Sequence, residues 1–314
     1  MQNVIEIPGS VNSVVKNWYA VAMSASGKYQ TGVVYGGKIW RSENYGVTWT
    51  EVTVNDSQWN SVAMSADGSI QTALVYEGKI WRSANYGLTW TEVTGSGPAW
   101  TSVAMSADGT IQTAVVSNGK IWRSVNSGVT WTEITTVSDS SWQSVAMSAD
   151  GTIQTAVVDN GKVWKSSDSG VTWTSSFLTT GTEINSGNKS WQSVAMSADG
   201  LNQTAVGYYN DGLDDIGIIY KTSDGGTTWT ISFSSLSFIT FKSVAMSADG
   251  TTQTVVSNQG KIWTSVDSGV TWTVLSSTSN AYWNSVAMSA NGQLILSCLS
   301  GGKLYSYCYG LVLV

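Results

Sequence analysis

The sequence predicts an all-β fold, a seven-bladed β-propeller of four-stranded antiparallel blades, on three observations. The motif Val-Ala-Met-Ser-Ala recurs seven times, with its methionine at Met23, Met64, Met105, Met147, Met196, Met246 and Met288. The intervals between these methionines are 41, 41, 42, 49, 50 and 42 residues. Each interval holds four short runs divided by tight-turn signals, and none has helical periodicity. Four strands in a repeat of about 42 residues is the mark of a propeller blade. One blade cannot bury both faces of its sheet. Radial packing buries both, and closing the ring removes the exposed edges. Residues 1–314 then form one domain, with blades beginning near residues 18, 59, 100, 142, 191, 241 and 283.

The second copy shows each element. Trp59 to Ser65 is an inner strand whose small residues suit the crowded axis, and a layer of methionines fills space there. Asp67-Gly68 is expected to form a type I′ turn, which needs positive φ at both residues. Ile70 to Val75 is the second strand, Glu77-Gly78 the next turn, and Lys79 to Ser83 the third strand. A tight turn runs from Ser83 to Trp90, and Thr89 to Val93 is the fourth strand. The seventh copy lacks that last turn and ends in Leu311-Val312-Leu313-Val314. The segment Asn3 to Ile7 resembles a fourth strand, so it is expected to supply the outer strand of the last blade and lock the ring. The C-terminal run competes for that place.

Composition narrows the partners. Charged residues are 11% of the chain, net charge is −6, and 15 Lys and Arg are too few for a phosphate-binding surface, so no nucleic-acid partner is expected. No apolar run is long enough for membrane insertion, and the first residues lack the basic start and apolar stretch of a signal peptide. A monomer is expected. Cys298 and Cys308 flank Ser300-Gly301-Gly302. A two-residue Gly-Gly turn would place Cys298 opposite Tyr305 and Cys308 opposite Ile295, on opposite faces and out of bonding range.

The turn between the third and fourth strands has a recognisable form. Ser166 to Trp173 reads Ser-x-Asp-x-Gly-x-Thr-Trp, and Thr222 to Trp229 and Ser265 to Trp272 match it with Asp224 and Asp267. Ser42 to Trp49, Ser83 to Trp90 and Ser124 to Trp131 carry Asn44, Asn85 and Asn126 in place of Asp168. These segments resemble the Asp-box, or BNR repeat. The resemblance implies a propeller like those of sialidases, sortilin-type receptors, xyloglucan hydrolases and photosystem II assembly factors, with the box as a structural turn away from any active site. The residues explain that role. A short side-chain oxygen accepts from the turn's own N–H groups, and Asn supplies the same acceptor without charge.

Catalytic candidates are few. The chain has no histidine, which removes Ser-His-Asp and Cys-His chemistry and His-ligated zinc. The resemblance to sialidases would require converging arginines. Arg41, Arg82 and Arg123 instead occupy one repeat position in separate blades. No enzyme activity, cofactor or metal is expected. The 17 tryptophans all fall at repeat positions and read first as core between blades. The exception kept open is the rim opposite the boxes, where Trp18, Trp59, Trp100, Trp142, Trp191 and Trp283 open the first strands. Lys38, Lys79, Lys120, Lys162, Lys261 and Lys303 open third strands near them. A Trp and a Lys in each groove between blades would hold a glycan, and repetition would give avidity. Two insertions break the symmetry: the connection from Ser175 to Ser190, and Tyr208-Tyr209-Asn210-Asp211-Gly212-Leu213-Asp214-Asp215 in the fifth blade. Both are expected on one face as neighbours, with Glu183, Asp211, Asp214 and Asp215 as an acidic group for a basic partner. The sequence thus predicts a non-catalytic scaffold that binds a glycan or protein. The alternatives are a glycoside hydrolase using the fifth-blade carboxylates and a structural or assembly protein.

Overall fold

The computed structural model describes residues 4–6, 15–93, 97–178, 189–235, 239–258, 261–275 and 281–309. The described residues form repeated four-stranded antiparallel sheets without a helix, in a β-propeller arrangement. The third unit is representative, with Trp100–Met105, Gln112–Val116, Ile121–Ser124 and Thr132–Ile134 paired in order. Val103, Ala114, Val115 and Ile121 are buried, while Thr132 and Glu133 on the outermost strand are exposed. A central strand buried on both faces reads as a continuous apolar run, as Gln112–Val116 does after its first two residues.

Four units depart from this plan. The first and second are joined edge to edge through Tyr35 and Gln58. The fifth gains an outer strand, Phe177–Leu178, parallel to Thr228 and Trp229. The last takes Val4–Glu6 as its fourth strand, with Val4 opposite Tyr309 and Glu6 opposite Tyr307. Leu311 to Val314 lie outside the described residues.

Two sets of hydrogen bonds join unit to unit. The amide of Ala25 donates to the carbonyl of Ala66, Ala66 to Ala107, Ala107 to Ala149, Ala149 to Ala198, Ala198 to Ala248, and Ala248 to Ala290. Ala290 then donates back to Ala25, and each of these bonds is 2.7–2.8 Å. Deeper in, Thr31, Thr72, Thr113, Thr155 and Thr204 each donate to Oε1 of a glutamine in the next unit: Gln71, Gln112, Gln154, Gln203 and Gln253. The seventh unit breaks this belt, because Ile295 and Leu296 stand where the other copies have Gln and Thr. The buried Oγ1 of Thr254 and Oε1 of Gln30, on either side of the break, have no hydrogen-bond partner.

One turn expectation needs correction. Gly68 has φ +81°, but Asp67 is not in the left-handed region. The turn is closed by Gly68 N–H on Ser65 O, and the Asp67 carboxylate accepts from Ser69 N at 2.9 Å. The aspartate therefore caps the turn rather than supplying positive φ. In Glu77-Gly78 the roles invert. Glu77 takes φ +50°, and Gly78 is required for space, since a Cβ there would lie 2.5 Å from Val75.

The cysteine register is also corrected. The hairpin loop holds three residues, Ser300 to Gly302, so Cys298 faces Leu304 and Cys308 faces Leu294. The two cysteines share a face but stand four positions apart along the strand, about 13 Å. Both are buried and neither is in a disulfide. Burial pushes the Cys298 thiol up to about 12, against a bond from the Ser285 backbone.

Candidate functional site

Each of the seven first strands carries an irregularity one residue after its opening aromatic, as between Trp18 and Ala20 or Phe241 and Ser243. The skipped residues are Tyr19, Asn60, Thr101, Gln143, Gln192, Lys242 and Asn284. A bulge leaves such a residue without a cross-strand partner and re-aims its side chain. All seven line one central polar pocket of about 440 Å3, together with the residue that follows each of them.

The two positions do different work. The following residue is serine in six units, and its hydroxyl accepts a valine N–H from the neighbouring unit at 3.2–3.3 Å, as Ser61 does from Val103 and Ser285 from Val21. These hydroxyls hold units together. The bulged residues vary instead. Asn60 and Asn284 donate to the carbonyls of Trp100 and Trp18 at 2.6 and 2.8 Å, and Thr101 donates to Trp142 at 2.8 Å. Lys242 Nζ donates to Gln192 Oε1 at 3.2 Å and is the one charged group among the described residues lining the pocket.

The mouth adjoining this pocket, about 600 Å3, carries Tyr19, Tyr35 and Tyr76 with Asn17, Asn60 and Asn284. The three rings are 41%, 40% and 36% exposed, and those of Tyr19 and Tyr35 lie 5.6 Å apart. Burial, and then Tyr35 and Tyr76, raise the Tyr19 phenol above its ordinary pKa. Sequence reasoning missed this site. The signal was present: between a constant aromatic and a nearly constant Ser-Val-Ala-Met, one residue changes from copy to copy.

The rim tryptophans are placed differently from a sugar platform. Trp18, Trp59, Trp142 and Trp191 are fully buried, and Trp100 and Trp283 nearly so, which leaves no indole face for a ligand. Each first-strand aromatic meets a third-strand aromatic of its own unit, as in the T-shaped pair of Trp59 and Trp81 at 5.8 Å. Four of the indole N–H groups reach back to the preceding unit, to the carbonyls of Gly37, Gly78, Gly119 and Gly161. Each such glycine precedes a rim lysine. Lys38 donates to Val54 O at 2.9 Å, Lys79 pairs with Glu92, and Lys120 donates to Val137 O at 2.7 Å and pairs with Asp139 at 3.0 Å. Lys162 and Lys261 are exposed and Lys303 is half-buried. One groove at the third unit, about 490 Å3, is open beside Lys120, Trp122, Glu133 and Asp139.

The fifth-unit insertion extends a hairpin. Tyr208, Tyr209 and Asn210 continue the second strand opposite Gly217, Ile216 and Asp215. The Asp211 carboxylate accepts from the N–H groups of Leu213 and Asp214, and Asp215 accepts from Asn210. These bonds hold the Asp211 carboxyl below its usual range. Among the described residues no group of three or more Cys, Asp or Glu is placed to hold a metal ion. Glu183 lies outside the described residues. The long connection begins along the outer edge at Phe177–Leu178, away from the insertion, but it ends beside it, with Lys189 Nζ 5.1 Å from the Tyr209 ring centroid.

The boxes form one repeated geometry. Asn44 Oδ1 accepts from Thr48 N at 2.9 Å, and Asp168 Oδ1 accepts from Thr172 N at the same distance. Trp49 and Trp173 each donate to the box glycine's carbonyl at 3.1 Å. Arg41, Arg82 and Arg123 reach across to the next unit and donate to carbonyls of the box residues Tyr86, Ser127 and Ser169. They stitch neighbouring units together at separate places.

The cup is lined mostly by amides and hydroxyls and stands on a frame of sheets. The chain is a β-propeller built on BNR/Asp-box repeats. The family model for the BNR-Asp box repeat matches residues 39–52. Among solved structures it is similar to YCF48 from Cyanidioschyzon merolae, at 15% identity and TM-score 0.70 over 98% of each chain. It is equally similar to a structure of YCF48 bound to D1 peptide, at 14% identity and TM-score 0.70 over 98% of this chain and 96% of that one. No curated protein sequence matches it.

Proposed function

We propose that the chain is a closed, monomeric, seven-bladed propeller that acts as a non-catalytic docking scaffold and takes an extended segment of another protein in its central pocket. The observation that carries this reading is the set of seven bulges, which aim one variable residue of each repeat into one polar cup. The cycle of alanine bonds from Ala25 through Ala290 and back supports a closed ring, and the strand Val4–Glu6 supports locking by the N-terminal segment. The similar YCF48 structure with a bound peptide supports a peptide as occupant. Burial of the six rim tryptophans weighs against a multivalent lectin. The engagement of Asp211 and Asp215 within their own hairpin weighs against a glycoside hydrolase.

Selection from a displayed library of linear peptides tests the reading, with a glycan array probed in parallel. We expect peptides that bind the wild type and lose binding to Asn60→Trp, a variant that fills the cup. Glycan binding without peptide binding, or peptides indifferent to Asn60→Trp in a variant that melts like the wild type, would overturn it.

A further inference from the structure

Lys242 is one cation among otherwise neutral groups. Six serine hydroxyls around it are already committed to the frame, and the other bulged residues are neutral amides, a threonine and a tyrosine. An ammonium group has three donors, and the contact with Gln192 uses one of them. Asp159 and Asp215 act on Lys242 electrostatically but do not line the pocket. Asp159 accepts from the Ser190 hydroxyl at 2.7 Å, and Asp215 from the Asn210 amide at 3.0 Å. Burial lowers the Lys242 pKa, against the pull of those two carboxylates. A cation partly stripped of water inside a pocket favours a carboxylate that replaces the lost solvation. Tyr35 lies at the mouth, and Tyr19 and Tyr76 line both the mouth and the cup, where the three are partly exposed to whatever crosses it.

We infer that the pocket selects a peptide segment with an acidic side chain flanked by apolar or aromatic residues, Lys242 receiving the carboxylate and Tyr19, Tyr35 and Tyr76 the flanking side chains. This rests on the peptide-docking reading above. The main chain crosses the mouth, and the Asp or Glu side chain reaches down into the cup.

Peptides recovered from the library are synthesised in three forms: unchanged, with the acidic residue replaced (Glu→Gln or Asp→Asn), and with an amidated C-terminus. Each is titrated calorimetrically into the wild type, Lys242→Met, Lys242→Arg and Tyr19→Ser. The expected result is one enriched acidic position. Neutralising it, or Lys242→Met, weakens binding about tenfold to a hundredfold, and the two changes together cost little more than either alone. Lys242→Arg keeps most of the affinity, and Tyr19→Ser loses part of it. Peptides neutral at every position, or bound as tightly by Lys242→Met, would overturn the inference and leave the docking reading standing. An effect carried wholly by C-terminal amidation would also overturn it, since the carboxylate would then be the chain end. Failure to recover any peptide removes both. Should Lys242→Met melt early, the neutralised peptide against the wild type decides the matter.

Discussion

Asn44 and Asp267 do the same work with different chemistry. Each Oδ1 accepts the N–H of the box threonine at 2.9 Å, but only Asp267 can be protonated. Bonds from the Thr271 hydroxyl and N–H, and from Ser265, outweigh a small effect of burial and hold the Asp267 carboxyl at about 2. A depressed carboxyl stabilises the fold above its unfolded pKa, and that contribution is lost as pH falls through the folded value. Asp267→Asn is therefore expected to change the melting temperature little at pH 7, and to fare better relative to the wild type as the pH falls from about 4 towards 2. Melts across that range check this, and parallel curves would refute it. The broken belt gives a second comparison. Thr113→Val strands the buried Gln154 Oε1 and should cost about 1–3 kcal/mol in denaturant unfolding. Thr254→Val removes a hydroxyl that already has no partner and should be neutral or stabilising. The role of the box oxygen was legible because three copies spell it Asn and three Asp. The bulged position was not. Comparing copies for what they share discards the places where they differ, and a bulge is a matter of pairing register that residue types do not announce.

At the level of strands and turns, the repeat was legible because each boundary carries its own chemistry, such as the glycine after Asp67 or the box around Asn44. The errors fell where loop length or backbone sign had to be guessed. Ser300 to Gly302 loops with three residues rather than two, which moved both cysteines by one position. Tyr208 to Asp215 looked like a loop because of its Asp-Gly-Leu-Asp-Asp, yet its flanks continue the ladder as far as Asn210 opposite Asp215. The first-strand tryptophans are buried. Trp142 shows why that position is constant: it packs against Trp164, donates to Gly119, and is fully buried. Trp142→Ala is expected to cost about 3–5 kcal/mol in denaturant unfolding, the range for deleting a large buried aromatic. A cost near that of a surface change would mean that the site collapses or that the indole is not core.

For the molecule as a whole, Val4–Glu6 and Leu304–Tyr309 meet in one sheet. Val4–Glu6 covers the edge of Leu304–Tyr309, so removing Met1 to Glu6 exposes a row of unpaired backbone groups. That truncation is expected to melt earlier and to associate with rising concentration in size-exclusion chromatography. Unchanged melting would show that the strand adds nothing to stability. The sequence offered two candidates for this place, Asn3 to Ile7 and the C-terminal run, and residue types did not choose between them; Val4–Glu6 holds the edge.

The alanine bonds have a further consequence. They run Ala25, Ala66, Ala107, Ala149, Ala198, Ala248, Ala290 and back to Ala25, a cycle in which no member comes first. Where synthesis starts is therefore incidental to shape. A circularly permuted gene, with the old ends fused by a short linker and new ones opened at a turn in any other copy, should yield the same molecule.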